Sequence, residues 1–178
     1  MPERAPAYAI KAEIRDPDAA AFAFTAAKTM YGGRAIAAGD PIFLFASENE
    51  GGSGLFARAV VTASEAVPRR EGIARQTPRV TIAVATIARA RRPLGRAQLR
   101  GFRDWKDGRA ETELNFKFYR QATDKIVGLS PAAAAFLDGF FRSPRPRTGY
   151  DSDLERKRSN RPATAAFREQ VIVVITLI

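Results

Sequence analysis

Bulky and polar residues alternate near the start of the chain. Tyr8 and Ile10 occupy even positions, whereas Lys11 and Glu13 occupy odd ones. A period of two is typical of a strand with one face in the core and one face in solvent. We therefore predict a half-buried first strand over 7–14.

Three later segments also have the composition of strands. Residues 42–46 form a continuous apolar run, which predicts a strand buried on both faces. Residues 55–62 follow it after the glycine-rich stretch 50–54, so the two segments predict a hairpin whose loop can open toward a ligand. Residues 80–88 are rich in β-branched side chains and predict a further strand.

The remaining pattern predicts two helices and one more strand. Asp16-Pro17-Asp18 provides an N-cap and a first-turn proline for a helix through Lys28, and Ser130-Pro131 begins a second helix that continues to Phe141. Apolar and polar residues alternate again over 114–119 and predict a strand. The sequence therefore predicts an α+β fold with a curved sheet or barrel of about five to six strands, flanked by short helices.

The net positive charge of the chain predicts a polyanionic partner. Lys and Arg number 29 against 19 Asp and Glu, a formal charge of +10. Such an excess favours phosphate neutralisation with release of counterions, so nucleic acid is the leading partner. An arginine-rich segment over 89–103 contains no acid, and arginine pairs well with phosphate oxygens. The predicted phosphate-binding residues are Arg91, Arg92, Arg96, Arg100, Lys106 and Arg109.

Two residue types are absent from the chain. It contains no cysteine and no histidine. This composition excludes thiol nucleophiles, Ser-His-Asp triads and histidine-dependent metal sites. Carboxylate, lysine, tyrosine, serine or threonine chemistry is all that remains. We predict a binding module and not an enzyme, with no cofactor and no metal. We expect a cytoplasmic protein with no membrane partner, because residues 1–7 lack the apolar region of a secretory signal and no apolar run approaches a bilayer-spanning length.

Composition changes again after Arg142. Residues 143–162 are basic, rich in proline and poor in core-forming side chains, which predicts a flexible linker. Residues 163–178 end in an apolar, β-branched run that needs either a position in a sheet or a continuation of the chain.

Four segments together resemble the signature of EVE domains, members of the PUA-like group that also includes YTH and ASCH domains. They are Tyr31–Arg34, Gly39–Ser47, Gly54–Val61 and Tyr119–Pro131, the last resembling the closing strand and the Ser-Pro start of the final helix. The resemblance implies a modified-base-binding domain over residues 1–142. The tryptophan-rich opening usual in EVE domains is missing, and Tyr31 stands where a tryptophan is expected.

PUA-like readers hold one base in a concave site, so the resemblance implies a nucleic-acid-binding module that recognises a modified base, with modified cytosine in DNA favoured over RNA. Tyr31 and Trp105 are candidates for stacking on bases, and Ser47, Glu48 and Asn49 follow the buried strand and offer polar groups to a base edge. The residues that match the family's closing strand are Arg120, Gln121 and Thr123.

Residues 161–172 resemble the lead-in helix of HNH endonuclease domains. This resemblance implies that the chain is the N-terminal reader of a modification-dependent restriction endonuclease and that 163–178 begins a truncated HNH-like segment. A C-terminal nuclease domain and a homodimer both stay open as protein partners.

Two other functions stay open. One is a small ASCH-like nucleoside amidohydrolase that uses Lys28, Thr29 and Glu48. The other is a general RNA or single-stranded DNA binder that uses the basic face without a specific pocket.

Overall fold

A computed structural model describes residues 6–120 and 125–142 of the chain. Within these residues the strands are β1 (Ala7–Ala12), β2 (Ala21–Met30), β3 (Pro41–Ala46), β4 (Gly54–Ala66), β5 (Arg79–Arg89) and β6 (Lys125–Leu129). The α-helices are α1 (Arg96–Leu99), α2 (Ala110–Asn115) and α3 (Pro131–Asp138). Short 3-10 turns cover Gly33–Ala35 and Glu48–Glu50, and a π-helical turn covers Phe116–Arg120. None of the helices in the described residues is long and apolar enough to cross a membrane.

The strands form a closed barrel in the order β1-β3-β4-β5-β2-β6. Strand β1 runs parallel to β3, and β2 runs parallel to β6, whereas the other neighbours are antiparallel. The predicted hairpin is confirmed, because β3 and β4 pair directly across the glycine-rich loop. The predicted α+β architecture, a barrel of five to six strands with short flanking helices, is confirmed as well.

Two apolar clusters hold this fold together. One fills the barrel and includes Ile10, Leu44 and Ile82. The other lies between the outer face of the barrel and the helices, where Phe45 packs against Phe118 with ring centres 4.7 Å apart. Strands β1 and β3 contribute to both clusters, so β3 is buried on both faces as predicted. The prediction of a half-buried first strand is wrong, because every residue of β1 is buried.

The predicted helix over 16–28 is wrong, because this region forms β2. Phe22 and Phe24 are half-buried, while the residues on either side of them are exposed, which is the period of a strand. Closing the barrel requires a strand that pairs with β5 on one side and β6 on the other. These pairings outweigh the preference of the alanine-rich sequence for a helix.

The predicted strand over 114–119 is also wrong. Leu114 and Phe118 are buried four residues apart, which is the spacing of a helical face, and they pack into the outer cluster from α2 and the π-helical turn. The closing strand begins at Lys125 and not at Tyr119, so Arg120 is not on it.

The start of the last helix is as predicted, because the Ser130 hydroxyl accepts a hydrogen bond from the amide of Ala133 at 3.1 Å and Pro131 is the first helical residue. The helix ends earlier than expected, at Asp138. The predicted linker 143–162 and the segment 163–178 lie outside the described residues, as do Gln121 and Thr123.

Candidate nucleic-acid interface

One end of the barrel opens between β1 and β2. Strand β6 joins them only over part of their length, because it pairs with β1 from Ala7 to Ile10 and with β2 from Lys28 onward. Beyond these pairs lies a cavity of about 590 Å³, which we call the mouth cavity. The residues that line it are Ile10, Ala12, Glu13, Ala23, Phe24, Thr25, Ala26, Ala27, Lys28, Ser47, Glu50 and Arg79.

A bulge in β2 shapes one wall of the mouth cavity. Ala26 has a φ of 49°, and the pairing of β2 with β5 shifts register between Phe24 and Ala27. The amide of Ala26 donates to the Thr81 hydroxyl at 3.0 Å, and the carbonyl of Ala26 accepts from the Arg79 guanidinium at 2.8 Å. A left-handed backbone costs a non-glycine residue about 1–2 kcal/mol. Side chains of β5 therefore hold the bulge in place where the ladder is broken.

Ser47 lies on the opposite wall. Its amide donates to the carbonyl of Ala12 at 2.8 Å, which fixes it beside the end of β1. The residue is buried, but its hydroxyl does not cap the 3-10 turn that follows. A hydroxyl both donates and accepts hydrogen bonds. Exposed Glu13 and Glu50 add carboxylate acceptors, so this wall can bind the polar edge of a planar ligand.

Glu48 belongs to a different arrangement, a network with a buried lysine. Lys11 is 1% exposed, and its ammonium lies 3.3 Å from Glu48 Oε2 and 4.1 Å from the centre of the Tyr119 ring. Glu48 Oε1 accepts from the Tyr119 hydroxyl at 2.5 Å and from the Arg96 amide at 2.8 Å. The network therefore ties β1 to the turn after β3, to the π-helical turn and to α1.

The same network controls two pKa values. Burial opposes ionisation of Glu48, but the hydrogen bonds from Tyr119 and Arg96, together with Lys11, outweigh it and lower the pKa of Glu48. Burial, reinforced by the Glu48 carboxylate, raises the pKa of Tyr119. Glu48 is thus ionised and Tyr119 protonated at neutral pH, as their hydrogen bond requires. Glu48 does not line the mouth cavity but a second cavity of about 450 Å³ beside α1.

Three aromatic rings form an aromatic cluster on the outside of the barrel. The centre of the Phe116 ring lies 6.2 Å from that of Tyr31 and 5.5 Å from that of Trp105. The Arg120 guanidinium carbon lies 5.1 Å from the Trp105 ring centre and 5.3 Å from that of Phe116. Lys117 Nζ lies 5.1 Å from the Tyr31 ring centre. Tyr31 is 42% and Trp105 43% exposed, so both rings present apolar surface to solvent.

Half-buried polar contacts hold the base of the aromatic cluster. Lys117 donates to Glu113 at 2.7 Å and to the carbonyl of Gly128 at 2.6 Å. Glu113 also accepts from the amide of Ser130 at 2.9 Å and from its hydroxyl. Burial opposes ionisation of Glu113, but the Lys117 and Ser130 contacts outweigh it and lower its pKa. These contacts connect the π-helical turn to β6 and α3.

The structure separates the residues predicted to bind a base into two groups. Ser47 lies against the end of β1 at Ala12, whereas Tyr31 follows β2 and abuts Gly128, the residue that pairs with Tyr8 at the start of β1. Four strand residues span about 13 Å, so Ser47 and Tyr31 lie beside opposite ends of β1. Ser47 lines the mouth cavity, Glu48 is in the buried network, and Asn49 is exposed on the turn.

Tyr31, Trp105 and Arg120 come together in the aromatic cluster. Sequence reasoning missed Phe116 because it assigned that residue to a strand. It missed Lys28 as part of a binding wall because it placed Lys28 at the end of a helix.

The predicted phosphate-binding side chains are all exposed. They are Arg91, Arg92, Arg96, Arg100, Lys106 and Arg109. The Arg92 guanidinium packs 4.1 Å from the centre of the Phe140 ring. Two details differ from the prediction of an acid-free arginine segment. The Glu48 carboxylate accepts a hydrogen bond from the backbone amide of Arg96. The Arg89 guanidinium donates to two carbonyls in the segment before β2, so its contacts are within the fold.

The residues of the open amidohydrolase hypothesis do not share a cavity. Lys28 lines the mouth cavity, but the hydroxyl of Thr29 is buried and donates to the carbonyl of Pro78 at 3.0 Å. Glu48 is held in the Lys11 network. Among the described residues there is also no cluster of three or more acidic, histidine or cysteine side chains that could hold a metal ion.

Comparison with known proteins identifies the fold. No protein-family model matches the sequence, and no curated protein matches it. The human THYN1 protein, solved in complex with DNA containing 5-methylcytosine, is similar with a TM-score of 0.52 at 14% identity, over 78% of this chain and 99% of that one. The DUF55 domain of human thymocyte nuclear protein 1 has a TM-score of 0.50 at 15% identity, over 73% and 95%. A Pseudomonas putida protein has a TM-score of 0.51 at 15% identity, over 75% and 98%. The chain therefore has the PUA-like fold of EVE (DUF55) domains.

Proposed function

We propose that this chain is a nucleic-acid-binding domain that receives an extruded, modified cytosine in the mouth cavity. The observation that carries the proposal is the position of Ser47. It is a buried residue whose hydroxyl is not used to cap the turn and which lines the cavity between β1 and the bulge of β2. The cavity, about 590 Å³, falls within the range of about 300–1,000 Å³ that is usual for small-ligand sites.

The walls of the mouth cavity fit the chemistry of cytosine. The exocyclic amino group of cytosine is a donor that carboxylates accept, and Glu13 and Glu50 supply carboxylates at the rim. The Ser47 hydroxyl can bond the same polar edge. Small apolar residues such as Ala12 and Ala23 line the cavity and can contact a substituent on carbon 5, while Phe24 offers a half-buried ring. Extrusion from a duplex costs a few kcal/mol, which these contacts must offset.

The remaining charged and aromatic residues serve the backbone and the neighbouring bases in this proposal. The exposed arginines from Arg91 to Arg109 supply phosphate contacts. Each contact adds about 0.9 to the salt slope, the steepness with which the logarithm of the duplex-binding constant falls with the logarithm of the salt concentration. Tyr31 and Trp105 provide faces on which exposed bases can stack, at about 1–3 kcal/mol per base. The human THYN1 protein, which shares this fold, was solved in complex with DNA containing 5-methylcytosine, and that complex supports the proposal.

Fluorescence anisotropy with three matched duplexes tests the proposal. They contain cytosine, 5-methylcytosine or 5-hydroxymethylcytosine at one position, and each is measured at two salt concentrations. We expect one modified duplex to bind more tightly at both. Ser47→Ala should reduce that preference about two- to twelvefold, which corresponds to one hydrogen bond of about 0.5–1.5 kcal/mol.

Ser53→Ala is the matched control, because Ser53 lies in the same loop and does not line the mouth cavity. It should leave the preference unchanged. Equal binding of all three duplexes, or the same loss in both serine variants, would contradict the proposal.

A general single-strand binder is the second candidate function, and one observation favours it. None of the residues of the aromatic cluster lines the mouth cavity, and stacking on aromatic rings tolerates any base. In that case Trp105→Ala should weaken binding to every single-stranded oligonucleotide, whereas Ser47→Ala should have no effect.

A further inference from the structure

We infer that the loop between β4 and β5 is a wedge that enters a nucleic-acid duplex beside the mouth cavity and takes the place of the extruded base. This tip loop comprises the 12 residues 67–78. The inference rests on the proposed function, because it concerns how the base leaves the duplex. It adds a further contact surface, distinct from the mouth cavity, from the arginines after β5 and from the aromatic cluster.

The first observation is an exposed isoleucine at the tip. Ile73 is 51% exposed and follows Gly72, which has a φ of 74°. Apolar side chains such as isoleucine are the ones that proteins insert between base steps to unstack and bend a duplex.

The second observation is that hydrogen bonds of one side chain brace the tip loop. The Gln76 side-chain amide donates to the carbonyl of Arg70 at 2.6 Å and to that of Ile73 at 3.1 Å. Its side-chain oxygen accepts from the amide of Arg70 at 2.9 Å. Pro68 and Pro78 stiffen the two ends of the loop. Ordering the loop in advance removes entropy that binding would otherwise have to offset.

The third observation is charge. The tip loop carries Arg69, Arg70 and Arg75 and a single acid, Glu71, and all four are exposed. Among the described residues, no salt bridge involves any of the three arginines. Arginines around an apolar tip complement the phosphates on either side of a groove.

The fourth observation is position. A cavity of about 360 Å³ lies under the tip loop, and Ala26, Lys28 and Arg79 line both this cavity and the mouth cavity. The tip loop and the mouth cavity are therefore adjacent on the same side of the bulge in β2. A wedge in this position would fill the gap in the stack while the displaced base occupies the mouth cavity.

The experiment compares a duplex with a single strand of the same sequence, each containing the modified cytosine that the wild-type chain prefers. A single strand needs no wedge, because its base is already unstacked. We expect Ile73→Ala to weaken duplex binding about tenfold or more and to leave single-strand binding within about twofold. Ile87→Ala is the matched control, because Ile87 is 59% exposed on β5 outside the tip loop, and it should bind both as the wild type does.

Two more variants separate the contribution of the arginine charges from that of the hydrogen bonds that position the tip loop. The triple variant Arg69→Gln/Arg70→Gln/Arg75→Gln should lower the salt slope of duplex binding by up to about 3, at about 0.9 per phosphate contact. Gln76→Ala should weaken duplex binding in the same direction as Ile73→Ala, because Gln76 positions the tip.

Each outcome decides the inference. Unchanged duplex affinity in Ile73→Ala together with an unchanged salt slope in the triple variant would overturn it, and so would equal losses for the two isoleucine variants. A wild-type chain that prefers vesicles of phosphatidylserine and phosphatidylcholine to the duplex would assign the tip loop to a lipid surface instead. The proposed function fails separately, when the wild type binds modified and unmodified DNA alike. In that case a duplex-specific loss in Ile73→Ala would still support the wedge.

Discussion

The network that joins buried Lys11 to half-buried Glu48 and Tyr119 allows a prediction about stability. Lys11→Met keeps most of the side-chain volume but leaves the Glu48 carboxylate without its ammonium partner at 3.3 Å. Breaking a buried ion pair by removing one partner costs about 3–5 kcal/mol. The side chain of Glu48 is 22% exposed, which screens the remaining charge, so we expect a loss near the lower end, about 3 kcal/mol.

Urea denaturation followed by far-ultraviolet circular dichroism measures this loss. With a slope of about 1–3 kcal/mol per molar, the midpoint should fall by about 1–3 M. The double variant Lys11→Met/Glu48→Gln should lose less than the sum of the two single variants, because it no longer buries an unpaired charge. Lys106→Met replaces an exposed lysine and should change the free energy of unfolding by less than about 0.5 kcal/mol.

The same network predicts a pH dependence. Because the folded state lowers the pKa of Glu48, its contribution to stability is complete above the unfolded value of about 4.3 and is lost as the pH falls through the folded pKa. Lys11→Met removes one of the groups that lower this pKa, so the variant should lose less stability on acidification than the wild type. A loss below about 1 kcal/mol in Lys11→Met at pH 7, with additive effects in the double variant, would refute the reasoning.

Three other substitutions test the packing around the barrel. Phe118→Ala removes a buried ring from the outer cluster and should cost about 3–5 kcal/mol in urea denaturation. Ser130→Ala removes the N-cap of α3 and a donor to Glu113, so it should cost about 1 kcal/mol at pH 7. That cost should shrink as the pH falls through the lowered pKa of Glu113. Gly33→Ala should prevent normal folding, because a Cβ there would overlap the backbone of β6, whereas Gly101→Ala meets nothing within 4 Å and should fold, as judged by circular dichroism.

Some elements could be predicted because their determinants are close together in the sequence. The apolar run of β3, the glycine-rich loop and β4 form a hairpin whose partners are neighbours along the chain. The cap at Ser130 depends on a hydrogen bond to a residue three positions away. The segment Gly39–Ser47 contains a turn and the strand that follows it, and its resemblance to EVE domains implied the PUA-like fold.

Other elements could not be predicted because distant contacts determine them. Strand β2 has an alanine-rich sequence that favours a helix, and only pairing with β5 and β6, far along the chain, makes it a strand. Phe116 and Phe118 alternate with polar residues as in a strand, but they lie in a helical turn. There Phe116 contacts Tyr31, and Phe118 contacts Phe45. Local preferences differ by a fraction of a kcal/mol per residue, so tertiary contacts outweigh them.

For the candidate site, the sequence alone determined the basic charge, the lack of histidine and cysteine, and the residue types available to contact a base. Only the tertiary structure decided how these residues are grouped. Ser47 lines the mouth cavity because β6 is too short to close the gap between β1 and the bulged β2. Its neighbour Glu48 instead forms an ion pair with buried Lys11. The physical reason is that a cavity forms where strands from distant parts of the chain fail to pair, and no local pattern contains that information.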